Sequence, residues 1–330
     1  MDLTTTYMGL ELKNPIIIGA SPLTSTIESI LELEKNGAAA VVLHSIFEEQ
    51  INHEMHEMDH FLFHGSEDYA ESLGYFPEVI LSNLESEHYL DEIVKLKKAI
   101  SIPIIASLNG VSRGGWVKYA TKLQEAGVDA LELNITYIPT DCDLSSQEVE
   151  AIYIDALKAV KEVVTIPVSV KMNAIFSAPA NMAKRLSDAG ADGLVLFDRA
   201  VSVDIDLENL NAIHSINKSE SKDMSESLRW SAILYKKVDS SLCISTGVRD
   251  YEDILKAMMS GADAVAMVGA VMDNSPKHIK KTLKKLKKWM KEKEYDSIAQ
   301  MKGSISLAHT RNPAAYERAN YMRVLTNYSY

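Results

Sequence analysis

The sequence predicts a (β/α)8, or TIM, barrel, and three observations predict it. Eight short apolar runs recur along the chain. Amphipathic stretches separate them, and one glycine-containing signature introduces four of them. Continuous apolar runs suit parallel strands buried on both faces, where alternating ones would suit a half-exposed sheet. Repetition of one βα unit is what barrel closure needs.

The runs are NPIIIGAS (14–21), AAAVVLHS (38–45), IPIIASLNG (102–110), ALELNIT (130–136), IPVSVKMN (166–173), GLVLFDR (193–199), LCISTG (242–247) and AVAMVGA (264–270). Helical stretches between them include 116–126, 146–163, 181–189 and 251–260. The entry signature reads Asn36-Gly37-Ala38-Ala39, Ala126-Gly127-Val128-Asp129, Ala189-Gly190-Ala191-Asp192 and Ser260-Gly261-Ala262-Asp263. Each is a helix end, a glycine where the chain turns left-handed, then a strand. Ile-Pro opens two further strands, at 102 and 166. An open doubly wound sheet is the structural competitor, but eight units show no switch point.

Two long loops break the rhythm, 46–90 after the second strand and 204–227 after the sixth. Loops of this length on a barrel build or cover a site. A helical extension, 296–330, follows a barrel of about residues 14–293. We expect one domain spanning 1–330, since 330 residues fit a barrel of roughly 250 with extensions.

Composition narrows the function. A net charge of −12 argues against a nucleic-acid partner, which needs a basic footprint. No apolar run approaches the roughly 18 residues of a membrane span, so no membrane partner is expected. Two cysteines, Cys142 and Cys243, are too few for a disulfide framework or an all-cysteine cluster. The first residues lack a basic stretch followed by an apolar one, and a cytoplasmic protein is expected.

Barrel chemistry sits at the C-terminal strand ends. Those positions hold Ala20 and Ser21, His44 and Ser45, Asn109, Asn134 and Thr136, Lys171 and Asn173, Asp198, Thr246 and Gly247, and Gly269 and Ala270. Small residues after the last two strands let backbone N–H groups approach a phosphate, although glycine also simply ends strands. Lys171 lies within an apolar strand, where a lysine needs a role or a partner such as Glu132. Asn134 suits a ring edge, or is a satisfied core amide.

Three further signals bear on metal binding, surface and interface. His56-Glu57-Met58-Asp59-His60 matches HExxH, a zinc signature on a helix, yet within a loop excursion it reads as a solvated helix and no metal is expected. Nine lysines between 277 and 293, with Ile279, Leu283, Leu286, Trp289 and Met290 at helical spacing, read as the outer face of the last barrel helix. Asn312-Pro313 reads as a helix start, with Tyr316, Ala319, Asn320 and Arg323 on one face. That face suits a homodimer interface or folds back on the barrel.

These residues carry a family resemblance. From Met1 to Leu325 the chain resembles the class 1 dihydroorotate dehydrogenases, and within them the dihydroorotate dehydrogenase-like branch. The most specific stretches are NPIIIGASPL, VVLHSIFEEQINHE, IASLNGVSRGGW, ALELNITYIPTD, SVKMN, GADGLVLFDR and PAAYERANYMR. The resemblance implies FMN across the barrel top, bound by Ala20, Ser21, His44, Ser45, Asn109, Asn134, Lys171, Thr246, Gly247, Gly269 and Ala270. It implies hydride transfer from dihydroorotate, or a related cyclic CH–CH donor, to flavin N5. Lys171 would tune the ring, and a base would take the neighbouring proton. An electron-acceptor protein is the further partner expected.

The chain departs from the family at four places. His44 stands where the family has lysine. Tyr137 stands where class 1 enzymes place a catalytic cysteine, with Cys142 five residues on. Asp198 replaces an asparagine, and Ser245-Thr246-Gly247 replaces a Thr-Gly-Gly turn. Tyr137 and Lys171 are therefore the expected catalytic residues. The alternatives are a flavin barrel that has lost turnover and serves as a binding or partner subunit, and a non-redox barrel acting on a phosphorylated substrate.

Overall fold

The computed structural model describes residues 1–51, 86–111, 115–199, 201–215, 217–311, 313–316 and 325–326. The HExxH segment and most of the expected C-terminal helix lie outside the described residues.

Eight parallel strands close a barrel. In chain order they are β3 (Ile16–Ile18), β4 (Ala40–Val42), β6 (Ile104–Asn109), β7 (Ala130–Asn134), β8 (Val168–Met172), β9 (Gly193–Leu196), β12 (Ser241–Ile244) and β13 (Ala264–Ala266). Each pairs with the next, β13 pairs with β3, and β4 pairs with β6. All eight apolar runs of the sequence thus become barrel strands. A two-residue strand, β5 (Ile46–Phe47), adds to β6. The helices α1 (Ile27–Lys35), α2 (Ser86–Ala99), α3 (Gly115–Glu125), α4 (Ser146–Lys161), α5 (Pro179–Asp188), α6 (Ser225–Leu234), α7 (Tyr251–Ser260), α8 (Gly269–Asn274) and α9 (Lys277–Glu292) surround it. In α9 the lysines are exposed, while Ile279, Leu286 and Met290 are buried.

The repeated Gly-X-Asp entry has a shared physical basis. Gly127, Gly190 and Gly261 have positive φ and let the chain reverse from helix to strand. The aspartate two residues on then ties neighbouring strands together. Asp129 accepts from the Ile104 N–H, Asp192 from Val168 and Asp263 from Leu242. Each carboxylate also pairs with a lysine: Lys97, Lys161 and Lys302 respectively. One short motif therefore closes a helix end and sets strand register.

Two hairpins were not anticipated. The first joins β1 (Thr5–Tyr7) to β2 (Leu10–Leu12) through Met8 and Gly9, both at positive φ. It caps the N-terminal mouth of the barrel. Tyr7, Met8 and Leu12 pack with Ile17, Ile105, Ala130, Val195 and Cys243 in an inner core separate from the larger core between strands and helices. The Met8 N–H donates to Ser241 Oγ, and Thr5 Oγ1 donates to the Asp263 carbonyl. The second hairpin, β10 (Ser202–Asp206) with β11 (Asn211–Ser215), lies within the long loop after β9. Asp206 closes its turn by accepting from the Glu208 and Asn209 N–H groups. The extension after α9 continues through α10 (Ile298–Met301) and packs back, the Gly303 N–H donating to the Met258 carbonyl.

Candidate active site

Successive strand residues point alternately in and out, so the residue two beyond each inner-core position lines the C-terminal mouth. Gly19 follows Ile17, Glu132 follows Ala130, Lys171 follows Ser169, and Ser245 follows Cys243. These residues floor a cavity of about 420 Å³ at the C-terminal ends of the strands. Its size is within the usual range of small-molecule sites, roughly 300–1,000 Å³.

Lys171 and Glu132 hold the floor. Lys171 Nζ lies 3.0 Å from Glu132 Oε1, both side chains largely buried. Burial pushes the Lys171 ammonium down, but Glu132 and then Asp198 push it up further, and the net shift is upward. Lys171 is therefore a fixed cation at neutral pH. Below the floor Cys243 is buried and its thiol is pushed well above its ordinary range, first by burial and then by Glu132, so it is inert.

The structure brings five of the expected residues to the cavity wall: Ala20, Ser21, Lys171, Thr246 and Gly269. Asn109 and Asn134 stand beside Lys171 in register, at the ends of β6, β7 and β8. Ser45 sits behind them, its hydroxyl 2.7 Å from that of Ser107. Thr246 Oγ1 and Ser245 Oγ both donate to the Phe197 carbonyl, next to the cis Leu196–Phe197 peptide. Asp198 lines the cavity, and its Oδ2 accepts from Thr136 Oγ1 at 3.3 Å.

Four expected residues stand elsewhere. The His44 ring packs edge-on against Tyr89, centroids 4.9 Å apart, in a small separate cavity between α1 and α2. Barrel strand β4 ends at Val42, so the alternation that would aim residue 44 inward no longer applies. Burial holds the His44 imidazole below its usual range. Gly247 (φ +80°) is packed against the 220–224 segment, where a Cβ would come 2.6 Å from the Met224 nitrogen. Its N–H donates to Ser219 Oγ. Ala270 is buried in α8. Tyr137 is half-buried at the rim, with its backbone hydrogen-bonded to the phenol of Tyr153; burial pushes that phenol up to about 12.

Sequence reasoning missed one wall. Asn217, Lys218 and Ser219, beyond the second hairpin, line the cavity together with Arg199. Lys218 and Arg249 both pair with Asp273 behind Gly269. A Cβ at Gly269 would lie 3.2 Å from Arg249 Nη1. The only sequence signal was the polar character of the loop, which places no individual residue.

The fold and site define a barrel enzyme with a ligand cavity at its C-terminal mouth and a buried cation on the floor. The dihydroorotate dehydrogenase family model matches residues 2–290, and the chain belongs to that family. Its members are oxidoreductases acting on a CH–CH donor. Similar curated proteins carry the name dihydroorotate dehydrogenase B (NAD(+)), catalytic subunit. That of Thermoplasma acidophilum is 26% identical over 314 residues, 92% of this chain and 98% of that protein. That of Methanothermobacter thermautotrophicus is 26% identical over 315 residues, 93% and 98% respectively. That of Methanocaldococcus jannaschii is 27% identical over 308 residues, 88% and 94%. Family membership does not favour the degenerate-barrel alternative. Among the described residues no helix is long and apolar enough to cross a membrane.

Proposed function

We propose that this chain, as one barrel domain over 1–330, uses FMN to oxidise dihydroorotate or a closely related cyclic CH–CH donor. The observation that carries the reading is the buried Lys171 ammonium on the floor of the strand-end cavity. Volume, small wall residues and this cation all fit a flavin. Lys171, Asn109 and Asn134 would hold the ring edge. Ala20 and Ser21 would flank it, with Ser45 supporting from behind. Thr246 and Gly269, with Lys218 and Arg249 behind Gly269, would surround the phosphate. His44 would act only through packing behind the wall.

When bound, FMN supplies a hydride acceptor at N5 and, once reduced, a ring that a neighbouring cation stabilises. The protein's own work is then to orient the donor, exclude water and remove a proton. Lys171 remains charged at neutral pH, because its two carboxylate neighbours outweigh its burial. Tyr137, half-buried at the rim, would serve as the base. The raised pKa of Tyr153 keeps its phenol protonated beside the Tyr137 backbone. Electrons would leave to a partner subunit, the arrangement that "catalytic subunit" in the relatives' names supports. A homodimer in the cytoplasm completes the reading.

The test is the absorbance spectrum of the purified protein, followed by anaerobic addition of dihydroorotate. A flavin spectrum that bleaches is expected. A colourless protein that FMN does not reconstitute would overturn the cofactor, and a coloured one that does not bleach would overturn the substrate.

A further inference from the structure

Three cations line the cavity among the described residues, Lys171, Arg199 and Lys218. Two make close ion pairs, Lys171 with Glu132 and Lys218 with Asp273, which it shares with Arg249. Arg199 does not. Its Nη1 is buried and makes no hydrogen bond to any described residue. Among the described residues the carboxylate paired with it, Asp223 Oδ2, lies 3.9 Å away, beyond the 2.7–3.2 Å or so of a hydrogen bond. A buried guanidinium N–H without an acceptor costs free energy that an incoming acceptor returns. Arg199 follows Asp198 directly at the end of β9, but Asp198 accepts from Thr136 and adds to the field at Lys171.

We infer that Arg199 is the oxyanion-binding residue of this cavity, taking an oxygen-bearing anionic group of the molecule that enters. A planar guanidinium matches a carboxylate or a phosphate in a paired, charge-assisted contact. Two sources present that chemistry, the phosphate of the cofactor and the carboxylate of the oxidised substrate. Asn217 and Ser219, on the same wall, add polar groups that suit either. The inference rests on the proposed flavin function and adds to it a residue that decides which anion is admitted. The uncharged analogue of a true ligand should lose little when Arg199 is removed, because the lost contact is to the anion alone.

The experiment compares wild type with Arg199→Leu and Arg199→Gln, the second keeping polarity if the first folds poorly. Apoprotein is titrated with FMN and with riboflavin, read by flavin fluorescence. Flavin-loaded protein is titrated with orotate and with uracil, read by the flavin absorbance shift. If the phosphate is the anion, both variants weaken FMN on the order of 10- to 100-fold and leave riboflavin unchanged. If the substrate carboxylate is the anion, FMN holds and orotate weakens by a similar factor while uracil does not. Wild-type binding of FMN and orotate that both variants reproduce would overturn the inference and leave the flavin reading intact. Wild-type protein that binds no flavin would overturn both.

Discussion

Lys171 and Glu132 face each other across β7 and β8 with 3.0 Å between Nζ and Oε1, beneath a cavity that both help to line. The lysine is therefore at once a structural partner and the cation nearest to any ring on the floor. Removing either partner separates these roles. Lys171→Met strands a buried carboxylate and should cost about 3–5 kcal/mol of stability. Glu132→Gln leaves the ammonium without its counter-charge and should raise the reduction potential of bound flavin, where Lys171→Met should lower it. Equal potentials in the two variants would refute the electronic role. The upward shift of Lys171 also sets a sign. Its stabilisation is complete below the unfolded value of about 10.5 and is lost as pH rises through the higher folded value. Chemical denaturation of wild type should therefore weaken at strongly alkaline pH.

Gly269 stands where a side chain would meet Arg249 and Lys218. A carboxylate at that point would be drawn to both cations and occupy the ground proposed for phosphate. Gly269→Glu is expected to abolish flavin retention while leaving the melting temperature within a few degrees. Flavin content after gel filtration, measured beside a thermal melt, checks it. Full occupancy in the variant means the phosphate lies elsewhere.

The His44 ring packs on Tyr89 and away from the cavity, so His44→Gln should keep flavin affinity within about two-fold and lose about 1–3 kcal/mol of stability. Its folded pKa is depressed. The associated stability is present above the unfolded value of about 6.5 and is lost as pH falls through the folded one. Unfolding curves across that window should show a decline in wild type that the glutamine variant flattens. A ten-fold loss of flavin affinity would return His44 to the site.

Tyr137 in the base position makes a kinetic prediction. Removal of a substrate proton by a positioned side chain is worth on the order of 10²–10⁴ in rate. Tyr137→Phe should therefore lower turnover of dihydroorotate by about that factor. Brisk turnover indifferent to Tyr137→Phe, with loss in Cys142→Ala, would transfer the role to Cys142.

The barrel was legible because strands buried on both faces are apolar throughout, and because Gly-X-Asp marks helix-to-strand turns chemically. Lys171 stood out for the same reason, a charge where only apolar residues belong. What escaped depended on distant parts of the chain. The hairpin at Thr5–Leu12 consists of two three-residue strands. Its apolar residues face a lumen that exists only after the barrel closes. In β10 and β11, Val203, Ile205 and Ile213 are all exposed, so no buried face disciplines their pattern. Lys218 reaches the cavity only because that hairpin returns the chain to it. His44 misled because strand alternation was extended two residues past the end of β4.

The plug at the barrel bottom also constrains how the chain can be made. Thr5 and Met8 meet Asp263 and Ser241, 258 and 233 positions further along. The hairpin is therefore made long before the strands that supply these two hydrogen bonds. Until then Tyr7 and Leu12 are exposed to solvent and to other nascent chains. Closure of the lumen is a late event, completed by residues made well before the strands that they plug.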